Sequence, residues 1–180
     1  MKKQVAVITR AKEIRNSMKD QIDMIFGELV ETNIYSLEDK TIDKLKRSDL
    51  YVVSSSAYEY LDEKFLKNKN LVIVDYTISK ERKNFLKNFP KGTKAIFFNV
   101  SQKMCMEAIA MMYHLGVNNI EFIPAYPNME NFPKNNLIIT PAETKLLPKE
   151  AEGRDIIDIG HRILDANTII EIALKLEFEH

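Results

Sequence analysis

The chain has few glycines, and they stand far apart. Its 180 residues contain five, listed here in order: Gly27, Gly92, Gly116, Gly153 and Gly160. No two are close enough for a G-x-G-x-x-G turn or a Walker A loop, in which glycines let the backbone approach phosphate groups. H-E-x-x-H, G-x-S-x-G and C-x-x-C are also missing. We therefore expect neither dinucleotide binding nor P-loop ATP hydrolysis, and no cofactor. Ligand binding is the expected function, rather than catalysis.

The chain also has one cysteine and a formal net charge of zero. Because Cys105 is the single cysteine, an internal disulfide framework and a multi-cysteine zinc site are excluded. We predict that Cys105 lies in a helix and that its side chain is buried and structural. Lysine plus arginine equal aspartate plus glutamate at 26 each, so no net field attracts nucleic acid or an anionic membrane. No apolar run approaches the roughly 20 residues that cross a bilayer. The sequence predicts a soluble, cytoplasmic protein without membrane or direct nucleic-acid contact.

What the sequence does contain is a repeated alternation of strand and helix patterns. The central example is the segment Thr93–Leu115, where an apolar run at Ala95–Val100 is typical of a strand buried on both faces. Methionine, alanine and leucine then recur at helical spacing. Further strands are predicted at Gln4–Thr9, Leu29–Tyr35, Asp49–Val53, Leu71–Asp75, Ile120–Ile123, Leu137–Thr140 and Arg154–Ile159. This alternation predicts an α/β fold with mainly parallel sheets and flanking helices.

The Pro90-Lys91-Gly92 break separates two similar halves. We predict two Rossmann-like lobes around a cleft: residues 1–90 form the first, residues 91–160 the second, and a C-terminal helix in 161–180 returns to the first. Three helix starts are also predicted: a capping box at Ser36-Leu37-Glu38-Asp39, a signature with Thr140 as the N-cap, and a second capping box that begins at Thr168.

Polar side chains follow most of the predicted strands. Open α/β folds bind ligands at the carboxyl ends of their strands, so we predict a ligand site from Arg10, Ser54, Ser55, Ser56, Tyr76, Thr77, Asn99, Ser101 and Thr140. The Arg10 guanidinium, beside free helix N–H groups, suits a carboxylate or a phosphate. The alternatives are a solvated arginine at a helix start, serines that serve only a turn, and Ser101 as a helix cap.

Four segments carry a resemblance to a known family. In order they are D-L-Y-V-V-S-S-S-A-Y-E-Y-L, L-V-I-V-D-Y-T-I-S, G-T-K-A-I-F-F-N-V-S and D-I-I-D-I-G-H-R-I-L-D-A-N-T-I-I-E-I-A. The chain resembles the N-terminal effector-sensing domain of sigma-54-dependent bacterial transcriptional activators of the propionate-catabolism-activator type. The resemblance implies a two-lobed sensor that binds a small-molecule effector and controls downstream ATPase and DNA-binding domains. By this resemblance, residues Ser54–Ala57 match the family's ligand-side turn, although the turn here lacks a glycine. Thr77 and Ser79 match the turn after the next strand.

Two other functions remain open on the sequence. One is a small α/β enzyme, a hydrolase or an isomerase, that would use Asp75, Asp158 or His161. The other is an interaction module that forms a homodimer through Met104, Met111 and Met112 or through the C-terminal helix. Exposed methionines would favour the second alternative.

Overall fold

The structure is a computed structural model that describes the backbone of residues 1–74 and 76–177, and the side chains of these residues except 13–15. The chain divides into two compact units, Met1–Thr77 with Ile163–His180, and Ile78–Arg162. Each unit contains a parallel four-stranded sheet with flanking helices. The predicted α/β fold class is confirmed.

Strands and helices alternate along both units. In chain order the elements are β1 (Lys3–Thr9), α1 (Lys12–Phe26), β2 (Val30–Ser36), β3 (Leu50–Ser54), α2 (Ser55–Tyr58), α3 (Glu63–Leu66), β4 (Leu71–Val74), β5 (Tyr76–Thr77), α4 (Lys80–Lys87), β6 (Thr93–Phe98), α5 (Gln102–His114), β7 (Ile120–Ala125), β8 (Leu137–Thr140), β9 (Asp155–Asp158), β10 (Ile163–Leu164) and α6 (Ala166–Lys175). No described helix is both long and apolar enough to cross a membrane.

The first unit is built around β1, which lies inside a sheet of order β2-β1-β3-β4. The run Val5–Ile8 is fully buried because helices or turns cover both faces of the sheet. One face packs against α1 and α6 through Met18, Ile22, Ile172 and Leu176. The other face packs against the α2–α3 region through Ala57 and Phe65.

The second unit repeats this arrangement around β6, in a sheet of order β7-β6-β8-β9. Ala95 and Phe97 face one core, together with Ala108 and Met112 of α5. Ile96 and Phe98 face the other, together with Ala151 and other apolar residues. Across each sheet, the strand that comes second in the chain lies at one edge, followed by the first, the third and the fourth. The strand order therefore reverses beside the first strand of each unit.

The boundary between the units lies at Thr77–Ile78, so Pro90 falls inside the second unit and not at its edge. The reason is that α4, which precedes Pro90, buries Leu86 in the second core. The C-terminal helix α6 belongs to the first unit, where Ile172 and Leu176 are buried.

The helix starts predicted at Thr140 and at Thr168 are wrong. Thr140 ends β8, and its hydroxyl donates to the Phe98 carbonyl oxygen at 2.9 Å, so it caps no helix. The helix α6 begins earlier than predicted, because the Asp165 carboxylate accepts the Thr168 N–H at 2.7 Å and acts as the N-cap. The N-cap role of Ser101 is confirmed, since its hydroxyl accepts the Met104 N–H of α5.

Candidate functional site

The carboxyl edge of the first sheet contains the position where the strand order reverses. The chain runs from the end of β1 to one neighbour, β2, and later returns on the other side of β1 as β3. Ile8 pairs with Val53 in parallel register, so Thr9 and Ser54 follow on adjacent strands. Helices that leave adjacent strands in opposite directions open a crevice at this point, where α/β proteins bind ligands.

Buried hydroxyl groups line this edge. Thr9, Ser36 and Ser54 end β1, β2 and β3, and their exposed fractions are 0%, 0% and 1%. The Thr9 hydroxyl donates to the Ala11 carbonyl oxygen at 2.7 Å. The Ser36 hydroxyl lies 3.4 Å from the Arg10 carbonyl oxygen, to which it donates. These bonds fix the backbone on both sides of Arg10.

Arg10 is half-buried, and its guanidinium lies over an aromatic ring from the neighbouring connection. Its guanidinium carbon lies 4.4 Å from the centroid of the Tyr60 ring, within the range of a cation–π contact. Tyr60 follows α2, and its N–H donates to the Ala57 carbonyl oxygen. Among the described residues, none accepts a hydrogen bond from the Arg10 guanidinium or forms an ion pair with it. A positively charged group with five N–H donors is therefore held at this edge of the sheet without an acceptor from the described residues.

The helix N-terminus beside Arg10 is less open than the sequence predicts. The Lys12 N–H of α1 donates to a Glu38 carboxylate oxygen at 3.2 Å. The Glu38 N–H in turn donates to the Arg10 carbonyl oxygen at 3.0 Å. A carboxylate at this position satisfies the positive end of the helix dipole, so Lys12 N–H is not available to a ligand.

The three serines have different environments. Ser54 is buried, and its hydroxyl accepts the Ala57 N–H and lies 3.2 Å from the Ser56 hydroxyl. Ser56 is half-buried and Ser55 is exposed. Ser54 therefore shapes the turn, while Ser55 and Ser56 are the two that can reach a ligand.

Tyr76 and Thr77 form β5, which pairs with β10 in an antiparallel ribbon. Thr77 stands opposite Ile163, and Tyr76 stands opposite Leu164. The Tyr76 ring packs against the first core. Both residues therefore have a structural role, as members of this ribbon.

Asn99, Ser101 and Thr140 lie in the second unit, at the corresponding edge of its sheet. Asn99 and Thr140 are buried, and Asn99 Oδ1 accepts the Val100 N–H at 2.8 Å. Thr140 and Ser101 are engaged as described above. Asp158 ends the adjacent strand, and its carboxylate accepts the N–H groups of Ala142 and Gly160. Hydrogen bonds within the unit thus engage these polar groups, so the edge of the first sheet is the better ligand site.

One acidic residue beside the first sheet has a structural role. Asp49 accepts the Gln4 N–H at 2.6 Å and so fixes the start of β3. Asp75 lies outside the described residues. Among the described side chains, those of residues 1–12, 16–74 and 76–177, no group of three His, Cys, Asp or Glu could hold a metal ion.

Sequence reasoning missed Thr9, Ser36 and Tyr60. A polar residue at the end of an apolar run was a usable signal for Thr9, because the same signal identified Ser54. No local pattern links Tyr60 to Arg10, since the two residues meet only when β1 and β3 pair.

Comparisons with known proteins gave no match. No family model, curated protein or solved structure matches this chain.

Proposed function

We propose that the chain is the ligand-sensing regulatory domain of a bacterial sigma-54-dependent transcriptional regulator. A small anionic metabolite would bind at the carboxyl edge of the first sheet, at Arg10, Ser55 and Ser56. Binding would change the conformational equilibrium of the domain. The helix α6, which packs on the same sheet, would transmit this change to ATPase and DNA-binding domains of the parent protein.

The observation that carries this proposal is the Arg10 guanidinium that lies over the Tyr60 ring. A half-buried cation loses part of its hydration, and a charge-assisted hydrogen bond to a ligand would compensate for that loss. The Tyr60 ring supports its position, and no described residue supplies the acceptor. An anion is the ligand that this environment accepts best.

Two observations favour this function over the alternatives. Asp158, a candidate residue of the enzyme alternative, accepts the Ala142 and Gly160 N–H groups through its Oδ1 oxygen, which favours a structural role in that turn. A dimer through the methionines of α5 would need them exposed, yet Met112 is fully buried and Met104 and Met111 are half-buried.

The test is a thermal-shift screen of the purified chain against carboxylate and phosphate metabolites. A ligand that binds the folded state raises the melting temperature by mass action. We expect a specific hit whose effect is lost in Arg10→Ala and reduced in Ser55→Ala. Ser48→Ala, a half-buried serine in the segment before β3, serves as the matched control.

Other outcomes would contradict the proposal. A hit that the folded protein converts to a product, seen by mass spectrometry, would favour an enzyme. No hit, together with a concentration-dependent dimer in sedimentation velocity, would favour the interaction module.

A further inference from the structure

We infer that the second unit has an anion-binding site of its own, suited to a phosphate group, in addition to the site proposed in the first unit. The observation that carries this inference is a cavity of about 320 Å³ with two lysines and two asparagines on its wall. This volume lies at the lower end of the range for small-molecule sites. In chain order, the residues that line the cavity are Lys87, Lys91, Gly116, Asn118 and Asn119.

Hydrogen bonds connect the three chain segments that form the cavity. These segments are the end of α4, the turn before β6 and the turn between α5 and β7. The Asn119 side-chain amide donates to the carbonyl oxygens of Leu86 and Phe89 at 2.9 and 2.8 Å. The Gly92 N–H donates to the Asn119 carbonyl oxygen at 2.9 Å. The cavity is therefore a feature of the second unit alone, and its walls are fixed to each other.

Gly116 makes room for one of the lysines. The Lys87 Nζ atom lies 3.2 Å from the position that a Cβ atom on residue 116 would occupy. This distance is shorter than most Cβ contacts in proteins, so a side chain at residue 116 would displace the ammonium group. Gly116 also has a φ of +86°, in the left-handed region that favours glycine. The backbone at Gly116 thus lets Lys87 lie against the wall of the cavity.

The charged side chains on this wall are both lysines. Among the described residues, none forms an ion pair with the ammonium group of Lys87 or Lys91. Lysine binds phosphate in proteins as a point charge, and the exposed Asn118 amide can donate to a further oxygen. A phosphate group carries close to two negative charges at neutral pH, which two ammonium groups balance.

The alternative role for these lysines is to neutralise the negative ends of α4 and α5. Other donors already serve the carbonyl groups at these ends. The Asn119 amide serves α4, as described above. In α5, the carbonyl oxygens of Met112 and Tyr113 accept the N–H groups of Val117 and Gly116. The lysines are thus available to an external anion.

The experiment titrates inorganic phosphate into the complete ¹⁵N-labelled chain at constant ionic strength and follows the backbone amide signals by NMR. We expect saturable shifts at Gly116, Asn118 and Asn119. Chloride at the same ionic strength is the control anion and should shift these signals less. Equal shifts with both anions, or no saturable shift at these residues, would overturn the inference.

Four variants test the lining residues. Lys87→Gln and Lys91→Gln each remove one positive charge and should weaken phosphate binding about tenfold, as expected for the loss of a charge-assisted hydrogen bond. Asn118→Asp adds a negative charge to the wall and should also weaken binding. Lys94→Gln changes an exposed lysine of β6 that does not line the cavity, so it is the matched control and should leave the affinity unchanged.

Arg10→Ala distinguishes this inference from the proposed function. Because Arg10 belongs to the first unit, this variant should leave the phosphate shifts at Gly116 and Asn119 unchanged. Loss of these shifts in Arg10→Ala, or equal weakening by Lys94→Gln and Lys87→Gln, would overturn the inference. The proposed function, which is tested at Arg10 and Ser55, would still stand in the second case.

Discussion

The Cys105 sulfur lies 3.1 Å from the Ala125 carbonyl oxygen, to which the thiol donates across the interface between α5 and β7. The side chain is fully buried, as the sequence analysis predicts. Burial raises the pKa of the Cys105 thiol from its ordinary 9.0 to about 11, although backbone groups of Asn99 and Ala125 oppose the shift. The folded protein therefore keeps this thiol protonated over the whole neutral range.

The first prediction concerns the reactivity of this thiol. A shift of about two pKa units reduces the thiolate fraction about 100-fold at pH 8. We expect Ellman's reagent to modify Cys105 at least about 100-fold more slowly in the native chain than in urea. Rapid modification of the native protein would show that the α5–β7 interface opens readily.

The second prediction concerns stability at alkaline pH. Between pH 9 and 11 the unfolded thiol loses its proton while the folded thiol keeps it, so the free energy of unfolding falls as the pH rises. The loss amounts to up to about 3 kcal/mol. Urea unfolding at pH 8 and pH 11 should show a smaller decline in Cys105→Ala than in the wild type, and equal declines would contradict the shift.

The third prediction concerns the C-terminal end of α4. The Asn119 amide donates to the carbonyl oxygens of Leu86 and Phe89 at 2.9 and 2.8 Å, which closes the helix against the start of β7. Asn119→Ala leaves both carbonyls without this donor and should cost about 1–2 kcal/mol of stability. The neighbouring exposed Asn118→Ala should stay within about 0.5 kcal/mol of the wild type in urea unfolding. Equal effects of the two variants would contradict the capping role.

The α/β class was predictable because each core strand is buried on both faces and so appears as a continuous apolar run. Ala95–Phe98 and Val5–Ile8 are such runs, and both are central strands. Arg10 was predictable for a related reason, since it directly follows one of these runs. The carboxyl edge of the first sheet is a candidate ligand site because the strand order reverses there. That order depends on strand pairing, which no local sequence pattern contains.

The parts that could not be predicted depend on competition between distant groups. Thr140 carries a good capping signature, yet its hydroxyl donates across the sheet to Phe98. The sequence predicts a unit boundary at Pro90 because proline is a visible helix breaker. The burial of Leu86 in the second core, which puts α4 in the second unit, cannot be seen in the sequence. Tyr60 was missed because only the folded chain brings it to Arg10.

The last prediction tests the start of α6, where sequence and structure disagree. The Asp165 carboxylate accepts the Thr168 N–H at 2.7 Å, so Asp165→Ala should cost about 1 kcal/mol. Asn167→Ala, in the same first turn and exposed, should cost less than about 0.5 kcal/mol. Because α6 packs on the first core through Ile172, hydrogen exchange in Asp165→Ala should increase at α6 and then at β4, and less at β6. If Thr168 were the cap, Asp165→Ala would behave like Asn167→Ala, and the helix would begin three residues later, as the capping box predicts.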